Sequence, residues 1–392
     1  MSDWTSTRLG DLLRPSNERS SRSDQFPVLT SSRSGLHLQS EYFNRVVASK
    51  DNTGYKVIRK GQFTYRAMSD DGFFRFNRLS EQDAGIISPA YEVFECDTHK
   101  ADPIFMDYLL NSGIVLSQIY GAAQGGTRLS LRLSTLSEFE AEIPPLPEQK
   151  KIAEILSGVD RCINLHAARL QVLQNIHNAL FDRIPKKADA THGALLGDII
   201  DTLNSGWSPV CPPQARTGSA PAILKTTAIT WDGYKPEENK SLPSELTAKD
   251  EAIVHPGDIL CTRKGPRDRV GVVCYVSDTP PNLMVPDTAF RIRILGGNDP
   301  RYISLVLGSK EVQEEWNRKK VGLAEAQVNI NHGILKETHI PLPPREMQLG
   351  LVNAITKTRE RISKENAKIL SLQVLKCSLA SDLLSGRKRV SI

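Results

Sequence analysis

The chain lacks long apolar runs. Nowhere in its 392 residues do 18 apolar residues follow one another, so no membrane-spanning helix is expected. Cysteine is scarce: Cys96, Cys162, Cys211, Cys261, Cys274 and Cys377 are scattered without a CxxC pair, and no zinc site is expected. The opening segment MSDWTSTRLGDLL has no charged stretch leading into an apolar one. No export signal is expected from it, and the thiols read as reduced in a cytoplasmic protein. Catalytic signatures are missing as well. There is no GxxxxGK[ST] phosphate loop and no GxSxG, HExxH or kinase set. The Asn-Pro-Pro-aromatic or Asp-Pro-Pro-Tyr tetrapeptide of amino-methyltransferases is absent too, since TPPN at 279–282 lacks the aromatic. Asp70, Asp71 and Asp287 come without a supporting nuclease motif. The residues describe a binder rather than an enzyme, with no catalytic residue and no metal assigned.

What is present is an ordinary globular composition, 39% hydrophobic and 24% charged, long enough for two or three domains with their own cores. The net charge of +5 is unevenly spread. Residues 1–147 carry 16 basic against 18 acidic side chains, residues 191–344 carry 17 against 18, and residues 345–392 carry ten against four. Neither globular stretch is basic overall, so a nucleic-acid face must be built from local clusters.

One unit occurs twice. IPPLPEQKKI at 143–152 resembles IPLPPREMQL at 340–349, pairing Pro144 with Pro341 and Pro147 with Pro344. At the same offset of 197, DPIFMDYLLNS (102–112) matches DPRYISLVLGS (299–309), and Gly125 matches Gly322. VIRKGQFTYR (57–66) resembles IVHPGDILCTR (253–263), and RLGDLL (8–13) resembles LLGDII (195–200). Anchors in one order mean a duplicated unit of a globular domain plus a helix. Short β-branched, alternating segments between turn residues predict strands within 55–68, 85–96, 252–263, 269–277 and 290–295. Pro103 and Pro300 predict helix starts, where a fixed φ suits the first turn.

After each Pro-rich segment runs a heptad seam. The first is Ile152, Leu156, Val159, Ile163, His166, Leu170, Leu173, His177 and Leu180. The second is Leu351, Ile355, Ile362, Ile369, Leu372, Leu379 and Leu383, with Thr358, Glu365 and Lys376 as weaker members. Spacings of four and three predict a coiled coil. The fold class is therefore α+β: two mixed β-sheet domains with helices, separated and joined by two long helices packed as an antiparallel coiled coil. The expected boundaries are 1–147, 148–187 (central helix), 188–344 and 345–392 (C-terminal helix and basic tail). A helix of about 36 residues spans roughly 50 Å, at most on the order of fifteen base pairs.

Candidate DNA-binding residues come from the local clusters. Arg263, Lys264, Arg267 and Arg269 surround Gly265-Pro266 between two strand signals, a turn expected to project long arms outward to guanine edges or phosphates. Arg66 and Arg75 occupy the matching region of the first unit, among Tyr65, Phe73, Phe74 and Phe76. Further clusters are Arg19, Arg22 and Arg33, then Arg128 and Arg132, and Arg318, Lys319 and Lys320. The last two sets are expected at related places, just upstream of the Pro-rich hinge. Pro147, Glu148, Gln149, Pro344, Arg345 and Glu346 are the candidate partner contacts.

Two unlike globular units, each followed by a PLPEQ-type segment and a long helix, resemble the specificity (S) subunit of type I restriction–modification systems. PLPEQKKIAEIL (145–156) is the most specific piece, and HPGDILCTRKG (255–265) carries the likeness in the second unit. The resemblance implies two target-recognition domains, each reading half of a bipartite, asymmetric site in double-stranded DNA, with the helices setting the gap. It implies two methyltransferase (M) subunits that bind S-adenosylmethionine and methylate adenine. It further implies two restriction (R) subunits that use ATP and Mg2+, with no cofactor in this chain. A fused methyltransferase or nuclease, or a scaffold that does not read DNA, stays open at this point.

Overall fold

The structure, a computed structural model, describes residues 4–43, 51–122, 129–185, 193–324 and 327–391. The chain forms two compact units, Met1–Ala168 with Asn366–Ile392, and Arg169–Glu365. Two long helices, Leu146–Phe181 and Arg345–Leu384, each contribute to both. The α+β class expected from the sequence holds.

Each unit is built on a four-stranded antiparallel sheet. In the first its strand order is Leu13–Pro15, Tyr91–Cys96, Phe63–Arg66, Asn77–Arg78. In the second it is Ile200–Ser205, Ala289–Ile294, Ile259–Thr262, Val273–Tyr275. The helix after the sheet opens on the same cap in both. Asp102 accepts from Ile104 N and Phe105 N ahead of Pro103, and Asp299 accepts from Arg301 N ahead of Pro300. That pairing is why the Asp-Pro anchors recur. Gly10 and Gly197 recur because a Cβ there would come within 3.0 Å of Ser137 and 3.1 Å of Lys336, where a second segment crosses close by. Gly61 and Gly257 lead into the central strands at φ +89° and +96°. Replacing either with alanine should cost about 1–2 kcal/mol, the strain of a side chain at positive φ. A smaller shift in that unit's urea midpoint would contradict this.

Aromatic stacking fills the core of the first unit. The rings of Phe63 and Phe94 lie 5.4 Å apart, those of Tyr65 and Phe76 4.9 Å apart, and all four are buried. In the second unit, Trp316, Tyr302 and Phe290 are fully buried, and the Trp316 Nε1–H donates to Thr338 Oγ1 at 2.8 Å. The second unit also holds two smaller cores against the added strands Ala222–Leu224, Asn239–Ser241 and Leu283–Met284.

The heptad seams are real. Every named seam residue on both helices is buried or half-buried, while most residues between them are exposed. Within the first unit the two helical segments run antiparallel, because Glu148 pairs with Arg389 and the later Asp160 with the earlier Lys376. Asp160 pairs with Lys376 at 2.7 Å in the first unit, and Arg169 with Glu365 at 3.1 Å in the second. The weak seam members thus keep polar partners: Glu365 and Lys376 form these ion pairs, and Thr358 donates to Ala354 O. His177 packs edge-on against Phe181 at 5.0 Å, and burial, with Arg359 nearby, holds its pKa below the usual imidazole value. No described helix is long and apolar enough to cross a membrane.

Candidate nucleic-acid interface

In the second unit the basic segment is a loop with its own architecture, not a tight turn. Ile259–Thr262 pairs with Val273–Tyr275, and between them the chain leaves the sheet. Lys264–Gly265 pairs instead with Gln327–Asn329, itself paired with Val321–Ala324. Thr262 pins the base of the loop: its Oγ1–H donates to Arg269 O at 2.5 Å and its oxygen accepts from Val272 N at 2.9 Å. This detour carries the loop to the end of the helix Lys310–Lys319. There Arg267 Nη1 donates to Asn317 O at 3.1 Å, and Lys320 Nζ donates to Arg267 O at 3.0 Å. Two clusters some fifty residues apart in the chain become one basic face.

Its members differ in freedom. Lys264, Arg318 and Lys319 are exposed, with Lys319 paired to Glu315 at 2.7 Å. Lys320 is half-buried, and burial together with Arg267 lowers its pKa. Arg263 lies over the Phe290 ring at 4.9 Å, and His332 meets that ring edge-on at 4.8 Å. Burial, then the Arg263 and Lys336 charges, depress the His332 pKa, so its imidazole is neutral near pH 7. Arg269 turns inward, its Nη2–H groups reaching Thr226 O at 3.3 Å and Ile229 O at 3.4 Å. The expectation of four outward arms is corrected here. Arg269 adds a donor at both carbonyls, and Thr226 O also accepts from Ile229 N.

In the first unit, Arg33, Arg66 and Arg75 come together around a cleft of about 350 Å3 with Asp70, Asp71, Met68 and Phe73. Arg33 reaches it from the tip of the hairpin Leu29–Ser32 and Gly35–Leu38, pairing with Asp71 and lying 4.7 Å over the Phe73 ring. Arg66 Nη1 is 3.9 Å from Asp70 Oδ2. Asp71 accepts from Phe73 N at 3.2 Å and from the Ser69 hydroxyl at 3.0 Å, and these bonds with Arg33 hold its carboxyl below the usual range. Tyr65, Phe74 and Phe76 are core residues, whereas Phe73 is 39% exposed and faces the arginine. Arg19 donates to Gly54 O at 2.9 Å, and Arg22 is exposed in the bend that follows.

Arg132 is exposed at the start of the helix Leu133–Ser137, after Leu131 N donates to Ala67 O. Its counterpart by topology is Asn331, because Ile330 N donates to Arg263 O in the same way. Arg132 and the 318–320 cluster therefore do not occupy equivalent places, as the sequence had suggested. Arg128 lies outside the described residues.

Comparison with known proteins fits this geometry. Residues 1–175 match the family described as type I restriction modification DNA specificity domain. The chain is 35% identical over 190 residues to the specificity subunit of the Escherichia coli type I restriction enzyme EcoEI, covering 48% of this chain and 32% of that protein. It is 24% identical over 318 residues to the HindI specificity subunit of Haemophilus influenzae, covering 73% of this chain and 66% of the relative. The chain thus spans from about a third to about two thirds of these relatives' lengths. The likeness to type I restriction–modification specificity proteins thus lies in residues 1–175 for the family match and extends further at lower identity. The fold agrees. The crystal structure of the type I restriction-modification system S subunit from M. genitalium superposes with a TM-score of 0.57 at 15% identity, over 97% of this chain and 96% of that one. A chain solved in work on complex assembly and conformational transition of the type I R-M system superposes at 0.55 with 17% identity, over 99% of both.

The two Pro-rich hinges each hold a glutamine that sequence pairing misplaced. Gln149 is 1% exposed, accepts from Asp102 N at 2.8 Å, and donates to Lys100 O and Pro144 O at 3.0 and 2.9 Å. Gln348, also 1% exposed, accepts from Asp299 N at 3.0 Å and donates to Asn298 Oδ1 and Pro343 O at 3.1 and 2.9 Å. The true counterparts are Pro144 with Pro343, Pro145 with Pro344 and Gln149 with Gln348. The segment 340–349 must slide by two residues, so Arg345 and Glu346 do not replace Glu148 and Gln149. The legible signal was Pro-Pro followed four residues later by glutamine.

Burial also separates the candidate partner contacts. Glu148 and Gln149 are inside, with Glu148 bound by Arg389 Nε at 2.7 Å, Arg389 Nη2 at 2.8 Å and Trp4 Nε1 at 3.2 Å. Their side chains serve their own unit. Pro147, Pro344, Arg345 and Glu346 are exposed.

Proposed function

We propose that the chain is a non-catalytic, sequence-specific DNA-binding subunit of a type I restriction–modification complex. Each globular unit reads one half of a bipartite, asymmetric site in double-stranded DNA. The long helices set the gap and dock adenine methyltransferase subunits, and restriction subunits in a cleaving complex. S-adenosylmethionine, ATP and Mg2+ belong to those partners.

The carrying observation is the contrast between the units. One sheet topology recurs, yet the first unit presents an arginine–carboxylate cleft and the second a basic face around Lys264, Arg318 and Lys319. Unlike surfaces on like frames suit unlike half-sites, so the target is not a palindrome. Docking is supported by apolar side chains left exposed on the helices. Leu165, Leu370, Val374 and Leu375 are 47–69% exposed in the first unit, and Val172 and Ile176 are 56% and 46% exposed in the second. Methylating a base requires its extrusion into a pocket, which a partner subunit supplies while this chain supplies the address.

Co-expression with the cognate methyltransferase subunit, followed by single-molecule mapping of methylated adenines, tests this reading. A bipartite asymmetric motif with a fixed gap is expected. A stable complex that adds no methylation would point to a scaffold that does not read DNA. Within the motif, Lys264→Ala should act on phosphate rather than on bases. The logarithmic salt slope of binding should fall by about 0.9, with base preference unchanged. An unchanged slope would remove Lys264 from the DNA path.

A further inference from the structure

The arginine cleft of the first unit is unusual for a phosphate site because two carboxylates share it. Arg33 gives its Nη2 to Asp71, and Arg66 stands 3.9 Å from Asp70. A phosphate entering there would have to displace those carboxylates or sit beside them, like charge against like charge. The edge of a base meets no such penalty, since it is neutral and offers acceptors to a guanidinium.

Three contacts also fix the Arg33 group before any ligand arrives. Asp71 holds one nitrogen, the Phe73 ring covers one face, and the hairpin tip that carries Arg33 is tied down by Asn77 Nδ2, which donates to Ser31 Oγ at 2.7 Å and Ser32 O at 2.8 Å. Asp71 is itself immobilised by Ser69 and the Phe73 N–H. Arg33 is still 66% exposed, so its remaining N–H groups face outward.

We infer that Arg33 reads a guanine edge in the half-site of the first unit, and that Asp71, with Phe73, is the positioning residue that aims it. The inference rests on the DNA-reading function proposed above. Two parallel N–H donors matched to O6 and N7 require a fixed guanidinium plane, and a carboxylate behind an arginine supplies one. Without Asp71 the arginine keeps its charge but loses its aim, so affinity persists while discrimination falls.

The test uses the full chain co-purified with its methyltransferase subunit, assayed for methylation rate on duplexes carrying each base in turn at every position of the wild-type motif. Asp71→Asn and Arg33→Ala should each lower the preference for guanine over other bases at the same single position by at least tenfold. The rest of that half and the whole of the other half should stay intact, which also reports a folded complex. Should R33A fail to assemble, R33K takes its place, since lysine keeps the charge but not the fork. A guanine requirement that survives D71N overturns the positioning role. A uniform loss across all duplexes in R33A overturns base reading. A wild-type complex with no bipartite motif overturns the proposed function itself, and the inference with it, a result distinct from a motif that D71N leaves untouched.

Discussion

Replacing Gln149 with leucine should destabilise the first unit by about 3–5 kcal/mol, because it strands several buried backbone groups at once. Leucine fits the volume but accepts nothing from Asp102 N and gives nothing to Lys100 O or Pro144 O. Each orphaned buried group costs roughly 1–3 kcal/mol. Gln348→Leu should do the same to the second unit through Asp299 N, Asn298 Oδ1 and Pro343 O. Amide hydrogen exchange resolves the units, and each substitution should lower protection in its own unit alone. Glu346→Ala is the control. Glu346 is exposed in the first helical turn and should cost under about 1 kcal/mol. If Glu346 proved costly and Gln348 silent, the two hinges would be aligned as the bare sequence pairing had them.

The frame of the molecule was legible because it is written in periodicity and in a few obligatory residues. The seams around Ile152 and Ile355 follow from spacings of four and three. The Asp-Pro helix starts and the paired glycines follow from backbone groups that only those residues satisfy. The candidate surface was half legible. Composition located the basic clusters, but spatial pairing depends on where loops go. Nothing in the spacing said that residues 263–269 would leave their sheet and meet Asn317, or that Arg269 would turn to the carbonyls of 226 and 229. Asp71 was visible only as an acid without a motif. Its meaning comes from a hairpin tip that approaches from residues 32–35, a contact no local pattern encodes.

Acid should loosen the clasp that binds the C-terminal tail to the first hinge before it unfolds the sheets. Glu148 is buried as a carboxylate between Arg389 and Trp4, and Arg389 also lies 5.5 Å over the Trp4 ring. The Arg389 bond, with help from Trp4, holds the Glu148 pKa below its ordinary value against the opposing effect of burial. The folded state therefore favours the ionised form. Its contribution is fully present above the unfolded value, near 4.3, and disappears as pH falls through the lowered folded value. Glu148→Gln should flatten that part of the pH profile. Arg389→Ala should cost about 2–3 kcal/mol at neutral pH, since it removes a doubly bonded charged partner and leaves a buried carboxylate with the Trp4 Nε1–H and the Val390 N–H. Arg387 and Lys388 are the internal controls: both are exposed side chains that share the half-buried Asp382, so removing either one should matter little. Protease cleavage within 385–391, followed against pH, reads the clasp directly. Cleavage should accelerate below about pH 4 in the wild type and already be fast at pH 7 in R389A, whereas equal rates would mean that the tail is held by something other than Glu148.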